Sequence, residues 1–465
     1  MEGTKIVKNA TWIIVCRIIQ AVLSVLVTMF SARYLGPSGY GLINYAASIV
    51  AFVAPIMQLG LNSTLVQEIV NEPEKEGETM GTALTMSFTS SFFCILGVVA
   101  FTLVANPGEK QTLIVCALYS ILLIFQSIDL LQYWFQAKLK SKYTSIVMLV
   151  AYAVTSIYKI VLLITGKSIY WFAVAQAIDY LVIAVSLMVI YNKVGTEKLS
   201  FSWAAVKRMF DKSKFYILSS LMVTIFAQTD RIMLKIMCGD EATGFYSAAV
   251  TCATMTSFVF AAIIDSFRPS IFEKKKTATS EEFEKSVSGL YSIIIYLSLL
   301  QCAAITLFAP WIVQILYGAE YAPTVSALQL TVWYTTFSYI GAVRNVWILA
   351  EGQQKYLWIL NFAGALMNVI LNFVFIPIWG ILGAAFASLV TQIFTNVFMN
   401  MMIPSIRRNN TLMAKGLSPV LLVGMLKAFV KDKTDKKQKA AVTENAEIAE
   451  IVETTEEINE SQAEE

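Results

Sequence analysis

The chain has 465 residues, of which 57% are hydrophobic and 14% charged, and a formal net charge of +3. Soluble domains carry roughly a quarter charged residues, so the composition excludes an ordinary soluble domain and points to a lipid-embedded body. Histidine is absent, which removes the usual metal ligand, general base and neutral-pH proton switch together.

In chain order, twelve apolar runs lie near 10–31, 41–60, 80–105, 112–137, 144–165, 169–191, 214–234, 244–265, 286–308, 323–349, 356–376 and 381–402. Each approaches the roughly 20 residues a bilayer crossing needs. The runs are apolar almost all round rather than alternating, which excludes a membrane β-barrel. The expected fold is therefore all-α and polytopic, with about 12 transmembrane helices. The first run is too long for a signal-peptide core, contains Arg17 and is followed by further spans, so it reads as a retained helix. Cys16, Cys94, Cys116, Cys238, Cys252 and Cys302 have no metal-ligand spacing, and five of the six sit inside apolar runs as small hydrophobes. Dinucleotide, Walker, HExxH and nucleophile-elbow motifs are absent. No metal and no cofactor are expected.

Lysine and arginine in the connections set the orientation. Alternate connections and the two ends collect 27 basic residues on one side, against Arg33, Lys110, Lys167 and Lys235 on the other. Both termini are expected in the cytoplasm, in a multi-pass protein of the cell membrane. Trp12, Trp134, Trp171, Trp311, Trp347, Trp358 and Trp379 fall near helix ends, where an interfacial aromatic belt would lie.

The expected organisation is a six-helix half over 1–191, a cytoplasmic linker at 192–213, a second six-helix half over 214–402, and a segment at 403–430 that suits an interfacial helix. An acidic tail expected to be disordered follows at 431–465. In the linker, Phe201, Trp203, Ala204, Val206, Met209 and Phe210 suggest the apolar face of a short interfacial helix. The halves carry a repeat: Gly36-Pro37-Ser38-Gly39-Tyr40-Gly41-Leu42-Ile43-Asn44-Tyr45-Ala46 aligns without a gap to Gly239-Asp240-Glu241-Ala242-Thr243-Gly244-Phe245-Tyr246-Ser247-Ala248-Ala249 at an offset of 203. Each copy joins the first two helices of a half, and an even helix count makes the halves parallel.

Four segments carry a family likeness. Ala32-Arg33-Tyr34-Leu35-Gly36-Pro37-Ser38-Gly39-Tyr40-Gly41 is the first, and Gln228-Thr229-Asp230-Arg231-Ile232-Met233-Leu234 with Gly244-Phe245-Tyr246-Ser247-Ala248-Ala249 the second. Leu316-Tyr317-Gly318 with Tyr321, and Asn368, Asn372, Ile376-Pro377 with Gly380-Ile381-Leu382-Gly383-Ala384-Ala385, complete them. Over about residues 5–405 the chain resembles the oligosaccharide flippases of the polysaccharide-transport family, within the multidrug/oligosaccharidyl-lipid/polysaccharide exporter superfamily. Gln67 before Glu68 departs from an arginine common there. The resemblance implies two pseudo-symmetric six-helix bundles around a central cavity. It also implies alternating-access export of an undecaprenyl-pyrophosphate-linked repeat unit for O-antigen, capsule or exopolysaccharide. The implied partners are that lipid-linked oligosaccharide, membrane lipids, an ion or proton gradient and a glycan polymerase, with no nucleic acid.

Eight ionisable residues fall inside the expected spans: Arg17, Lys159, Arg231, Arg344, Asp129, Asp179, Asp230 and Asp265. A charge at a helix centre costs roughly 2.5–3.5 kcal/mol on insertion scales, so these are the site candidates. The four cations suit substrate binding, because guanidinium forks and ammonium groups match phosphate oxygens. The four carboxylates suit ion coupling or charge pairing. Gln20, Gln126, Gln176, Gln228, Asn361, Asn368 and Asn372 are polar companions suited to sugar hydroxyls. Two rivals remain: an organic-cation antiporter of the same superfamily, coupled through a carboxylate such as Asp179, and a membrane glycosyltransferase, whose acidic loop would be Glu72–Glu78.

Overall fold

The computed structural model describes residues 2–195 and 197–424, with side chains described from Leu23 onward save Ser63. Arg17 and Gln20 therefore have a described backbone only, and the expected tail at 431–465 lies outside the described residues. The described chain is helical throughout, without strands. A helical segment, Glu2–Met57, is broken at Gly36 (φ 67°, ψ 175°) into α1 (2–35) and α2 (37–57). Then come α3 (Glu76–Ala105), α4 (Lys110–Ala137), α5 (Ser141–Ile164) and α6 (Ile169–Val194). A second long segment, Trp203–Thr254, is broken at Gly239 (φ 87°, ψ −175°) into α7 (203–238) and α8 (240–254), and Ser257–Thr277 prolongs α8. Last are α9 (Ser280–Leu316), α10 (Thr324–Ala350), α11 (Lys355–Trp379), α12 (Ile381–Met402) and α13 (Arg408–Gly416).

Among the described residues nine helices combine the length and apolarity of a membrane crossing, against the twelve spans expected. Two of the nine are those broken at Gly36 and Gly239. The 27-residue α10 stands outside the nine, because Thr, Ser and Tyr dilute its apolar content. The two glycine breaks lie 203 residues apart and share a positive-φ conformation that favours glycine. The sequence repeat is thus a repeat of backbone geometry.

The buried apolar clusters segregate by half. Two contain buried residues from 42–209 and two contain buried residues from 234–412, so each bundle has its own core. A fifth, at the Gly36/Gly239 end, mixes Ala32 and Tyr40 with Phe245, Tyr317, Tyr321 and their neighbours. Large apolar side chains elsewhere point outward: Phe93, Val104, Ile157, Ile164, Leu300 and Phe373 are all more than half exposed. In water such a surface would aggregate; in hydrocarbon it is the solvated face.

The linker differs from its expected form. Residues 203–213 are the first three turns of α7, continuous with it. Ala205, Met209 and Ser213, spaced by four, form the buried face, while Phe201, Trp203 and Phe210 stay exposed. Glycines allow the close approach: a Cβ on Gly77 would lie 2.3 Å from Lys198 O, and one on Gly81 would lie 2.2 Å from Ser200 O. Arg208 and Lys212 pair with buried Glu68, fixing the root of α7 to the first bundle. At the same end α13 docks on α9 through Arg408 and Lys415, both paired with Glu284.

Candidate functional site

Small polar residues recur on one face of α1: Ser24, Thr28 and Ser31, spaced by four and three, with Leu35 beyond. They line a cavity of about 330 Å³ together with Tyr40, Asn44, Tyr119, Lys159, Phe172, Gln176 and, from the second half, Thr251. Arg17 stands seven residues before Ser24 in the same helix, in register with that stripe. The cavity is bounded toward the Gly36/Gly239 end by Tyr40, whose hydroxyl lies 3.5 Å from Thr251 Oγ1.

Lys159 has no carboxylate within ion-pair distance among the described residues, although Asp179 is its nearest electrostatic partner. Asp179 is satisfied by neutral donors instead: Thr155 Oγ1 donates at 3.1 Å and Gln176 Nε2 at 3.5 Å. Asp129 accepts from Gln132 Nε2 at 2.7 Å, and its second oxygen is buried without a hydrogen-bond partner. Ser31 Oγ is likewise buried and unpartnered beside the cavity. An ammonium, hydroxyls, amides and aromatic rings thus converge on one hollow in the first half, with hydrogen-bonding capacity to spare.

The second half holds a different arrangement. Asp230 of α7 is buried at 7% exposure. Its Oδ1 accepts from Asn368 Nδ2 at 3.1 Å and Asn372 Nδ2 at 2.6 Å, both on α11. Its Oδ2 accepts from the hydroxyls of Tyr246 on α8 and Ser388 on α12. Four helices therefore meet at one carboxylate, and among the described residues no cation pairs with it. Amide oxygen and nitrogen are interchangeable by a side-chain flip, so Asn368 and Asn372 have oxygens to offer if a cation replaces their donors.

Adjacent in sequence, Arg231 faces elsewhere. Its Nη1 donates to Gln228 Oε1 at 3.1 Å, and its Nε is buried without a partner. Arg344 is fully buried and serves the backbone of α12, where residues 394–398 form a π-helical turn. Its Nη1 donates to Thr395 O at 2.9 Å and its Nη2 to Asn345 Oδ1 at 2.9 Å. Side chains also serve the next two carbonyls: Asn400 Nδ2 donates to Asn396 O at 2.7 Å and Asn410 Nδ2 to Val397 O at 2.9 Å. π-Turns leave carbonyls short of helical partners, and these three side chains supply them. Asp265 pairs with Arg268 at 2.8 Å on an exposed helix face.

The eight charges do not form one site. Lys159, Asp129 and Asp179 share the first bundle, with Arg17 in register; Asp230 centres the second; Arg231, Arg344 and Asp265 stand apart. Sequence reasoning missed Ser24, Thr28, Ser31, Tyr40, Asn44 and Thr251 at the cavity, and Tyr246 and Ser388 at Asp230. The spacing of Ser24, Thr28 and Ser31 was the available signal.

The chain is 23% identical over 397 residues to the capsular polysaccharide biosynthesis protein CapF of Staphylococcus aureus, covering 83% of this chain and 96% of that one. The fold matches the lipid II flippase MurJ in an inward closed conformation, with a TM-score of 0.66, 12% identity, and 91% and 99% of the two chains covered. It also matches an inward-facing multidrug resistance MATE family transporter of the MOP superfamily, with a TM-score of 0.63 at 16% identity, covering 84% and 96%. A family model for polysaccharide biosynthesis proteins matches residues 6–275, more than half of the chain, which therefore belongs to that family.

Proposed function

We propose that this protein is a flippase that moves a lipid-linked oligosaccharide across the cytoplasmic membrane by alternating access, for cell-surface polysaccharide synthesis. Its work is transport rather than catalysis. The observation that carries the reading is the cavity in the first half. Hydroxyls, amides and aromatic rings suit a sugar, and Lys159, free of a carboxylate within ion-pair distance among the described residues, offers its charge to a phosphate oxygen. Arg17, in register with the same stripe, is assigned to the same headgroup. Arg231, with an unpartnered Nε, is assigned to a later contact as the halves rock. Arg344 gives one donor to the backbone of α12 and two to the Asn345 side chain, so its contribution is to hold α10 against that helix.

Asp230 is the coupling group in this proposal. A buried carboxylate held, among the described residues, by neutral donors alone gains most from a cation or a proton, and it sits where four helices of one bundle can respond together. The chain's positive side is assigned to the cytoplasm, with both termini there.

The test is surface glycan in a strain lacking its own flippase, with membrane abundance measured alongside. Lys159→Ala should accumulate normally and lose most export, while Lys159→Arg should retain part of it. Normal export by Lys159→Ala would remove the headgroup role. The likeness to multidrug transporters favours one second reading, organic-cation antiport. Energised efflux of a fluorescent cation, abolished by Asp230→Asn, would support that reading instead.

A further inference from the structure

Two cations near the Gly36/Gly239 end cross between the halves. Arg33, in the last turn of α1, reaches the C-terminus of α9. Its Nε donates to Leu316 O at 3.0 Å, its Nη2 donates to Gln314 O at 3.3 Å, and the same nitrogen donates to Ile315 O. A helix C-terminus presents carbonyls without intrahelical partners and the negative end of its dipole, so a guanidinium satisfies both at once. Lys235, in the last turn of α7, is buried at 4% exposure. Its Nζ lies 2.7 Å from Glu109, in the turn between α3 and α4 immediately before the first residue of α4, and 2.9 Å from Asp240. Helices α1 and α7 are the first of their halves, and α3 and α9 the third.

The backbones between these cations approach as symmetrically. A Cβ on Gly41 would lie 1.9 Å from Asp240 O, and one on Gly244 would lie 2.0 Å from Pro37 O. These are reciprocal contacts across the 203-residue offset. Tyr321 OH adds a bond to Ala32 O at 2.9 Å.

We propose that Arg33 and Lys235 are paired latches of the gate at this end: each half closes by docking the cation that ends its first helix where the other half's third helix gives out, Arg33 on the last carbonyls of α9 and Lys235 on Glu109 in the turn between α3 and α4. The glycine contact sets how closely the halves approach, and the latches set how long they stay. Both latches are made only in the closed arrangement, so both bias the equilibrium toward it. They are unequal. On opening, Lys235 keeps Asp240, which belongs to its own half, and loses Glu109; Arg33 loses all three carbonyls.

The experiment needs no substrate, so its outcome stands apart from the flippase reading. Thr251→Cys, placed at the cavity beneath the gate, is the reporter in a chain whose native cysteines are replaced. A second chain keeping only Cys238, exposed beside Gly239, reports which side the end faces. Whole cells are treated with a membrane-impermeant maleimide. Cys238 should label rapidly from outside and Thr251→Cys slowly. Arg33→Ala should raise the reporter's rate about tenfold or more, as loss of charged hydrogen bonds implies. Glu109→Gln should raise it less, and the double variant should multiply the two effects. If Arg33→Ala does not accumulate, Arg33→Lys carries the test, with an intermediate rate expected. Reporter rates unchanged from the parent in both latch variants, with Cys238 labelled, would overturn the proposal. Labelling of Cys238 only from the cytoplasmic side would overturn it as well.

Discussion

The sharpest consequence concerns Asp230, because two substitutions there separate coupling from folding. Asp230→Asn keeps the shape and removes the charge. Its new amide nitrogen finds Tyr246 and Ser388, hydroxyls able to accept as well as donate. Its remaining oxygen still receives Asn368 and Asn372. The expected loss of stability is about 1 kcal/mol. Asp230→Ala is different. Asn372 Nδ2 retains Asn368 Oδ1 at 3.1 Å, but Asn368 Nδ2 and both hydroxyls lose their acceptor. At roughly 1–3 kcal/mol for each buried group left unsatisfied, the loss is on the order of 3–6 kcal/mol once the hydroxyls re-aim. The assay is thermal stability in detergent together with surface glycan in a flippase-deficient strain. Asp230→Asn should accumulate in the membrane, melt near the parent and fail to export; Asp230→Ala should melt far lower or disappear. Full export by Asp230→Asn would remove the coupling role. An Asp230→Ala protein as stable as Asp230→Asn would refute the hydrogen-bond argument itself.

Gly41→Ala places a Cβ 1.9 Å from Asp240 O, so the halves cannot close at that end. Because each bundle has its own core, the protein should still accumulate while export is lost, and normal export would contradict this. Glu109 is held below the usual carboxylate range, chiefly by the Lys235 ammonium and then by the Thr112 hydroxyl. A depressed pKa adds stability above the unfolded value of about 4.3 and loses it as pH falls through the folded one. The stability difference between the parent and Glu109→Gln in detergent should therefore stay flat from pH 8 to about 5 and be lost as pH falls below that, through the depressed folded value. A difference that instead grows with acid would show the sign to be wrong. Arg344→Lys keeps the charge but loses the fork that serves Thr395 O and Asn345. It should lower membrane abundance more than export per molecule, and the reverse would make Arg344 a substrate ligand.

The sequence by itself determined the class of fold. A span forms wherever about 20 apolar residues follow one another, because in hydrocarbon every backbone group must be satisfied within its own helix. That is a local property, legible from runs such as 80–105 and 356–376. The repeat was legible for a similar reason: Gly36 and Gly239 carry a positive φ that glycine tolerates and other residues resist.

Tertiary structure decided the sites. Asp230 and Arg231 were equivalent candidates by spacing, yet neighbours on a helix point about 100° apart. Only the packing of α8, α11 and α12 around α7 shows that Asp230 enters the bundle. The linker's apolar residues suggested a separate interfacial helix, but close approaches at Gly77 and Gly81 let Ala205 and Met209 bury against the first bundle. Arg344 meets Thr395 O, a carbonyl of the π-turn at 394–398, only through the packing of α10 on α12. The latches at Arg33 and Lys235 join residues 283 and 126 positions apart. Hydropathy is summed along one helix, whereas register between helices is set by which small residues let backbones approach, and that is written in pairs of segments distant in the chain.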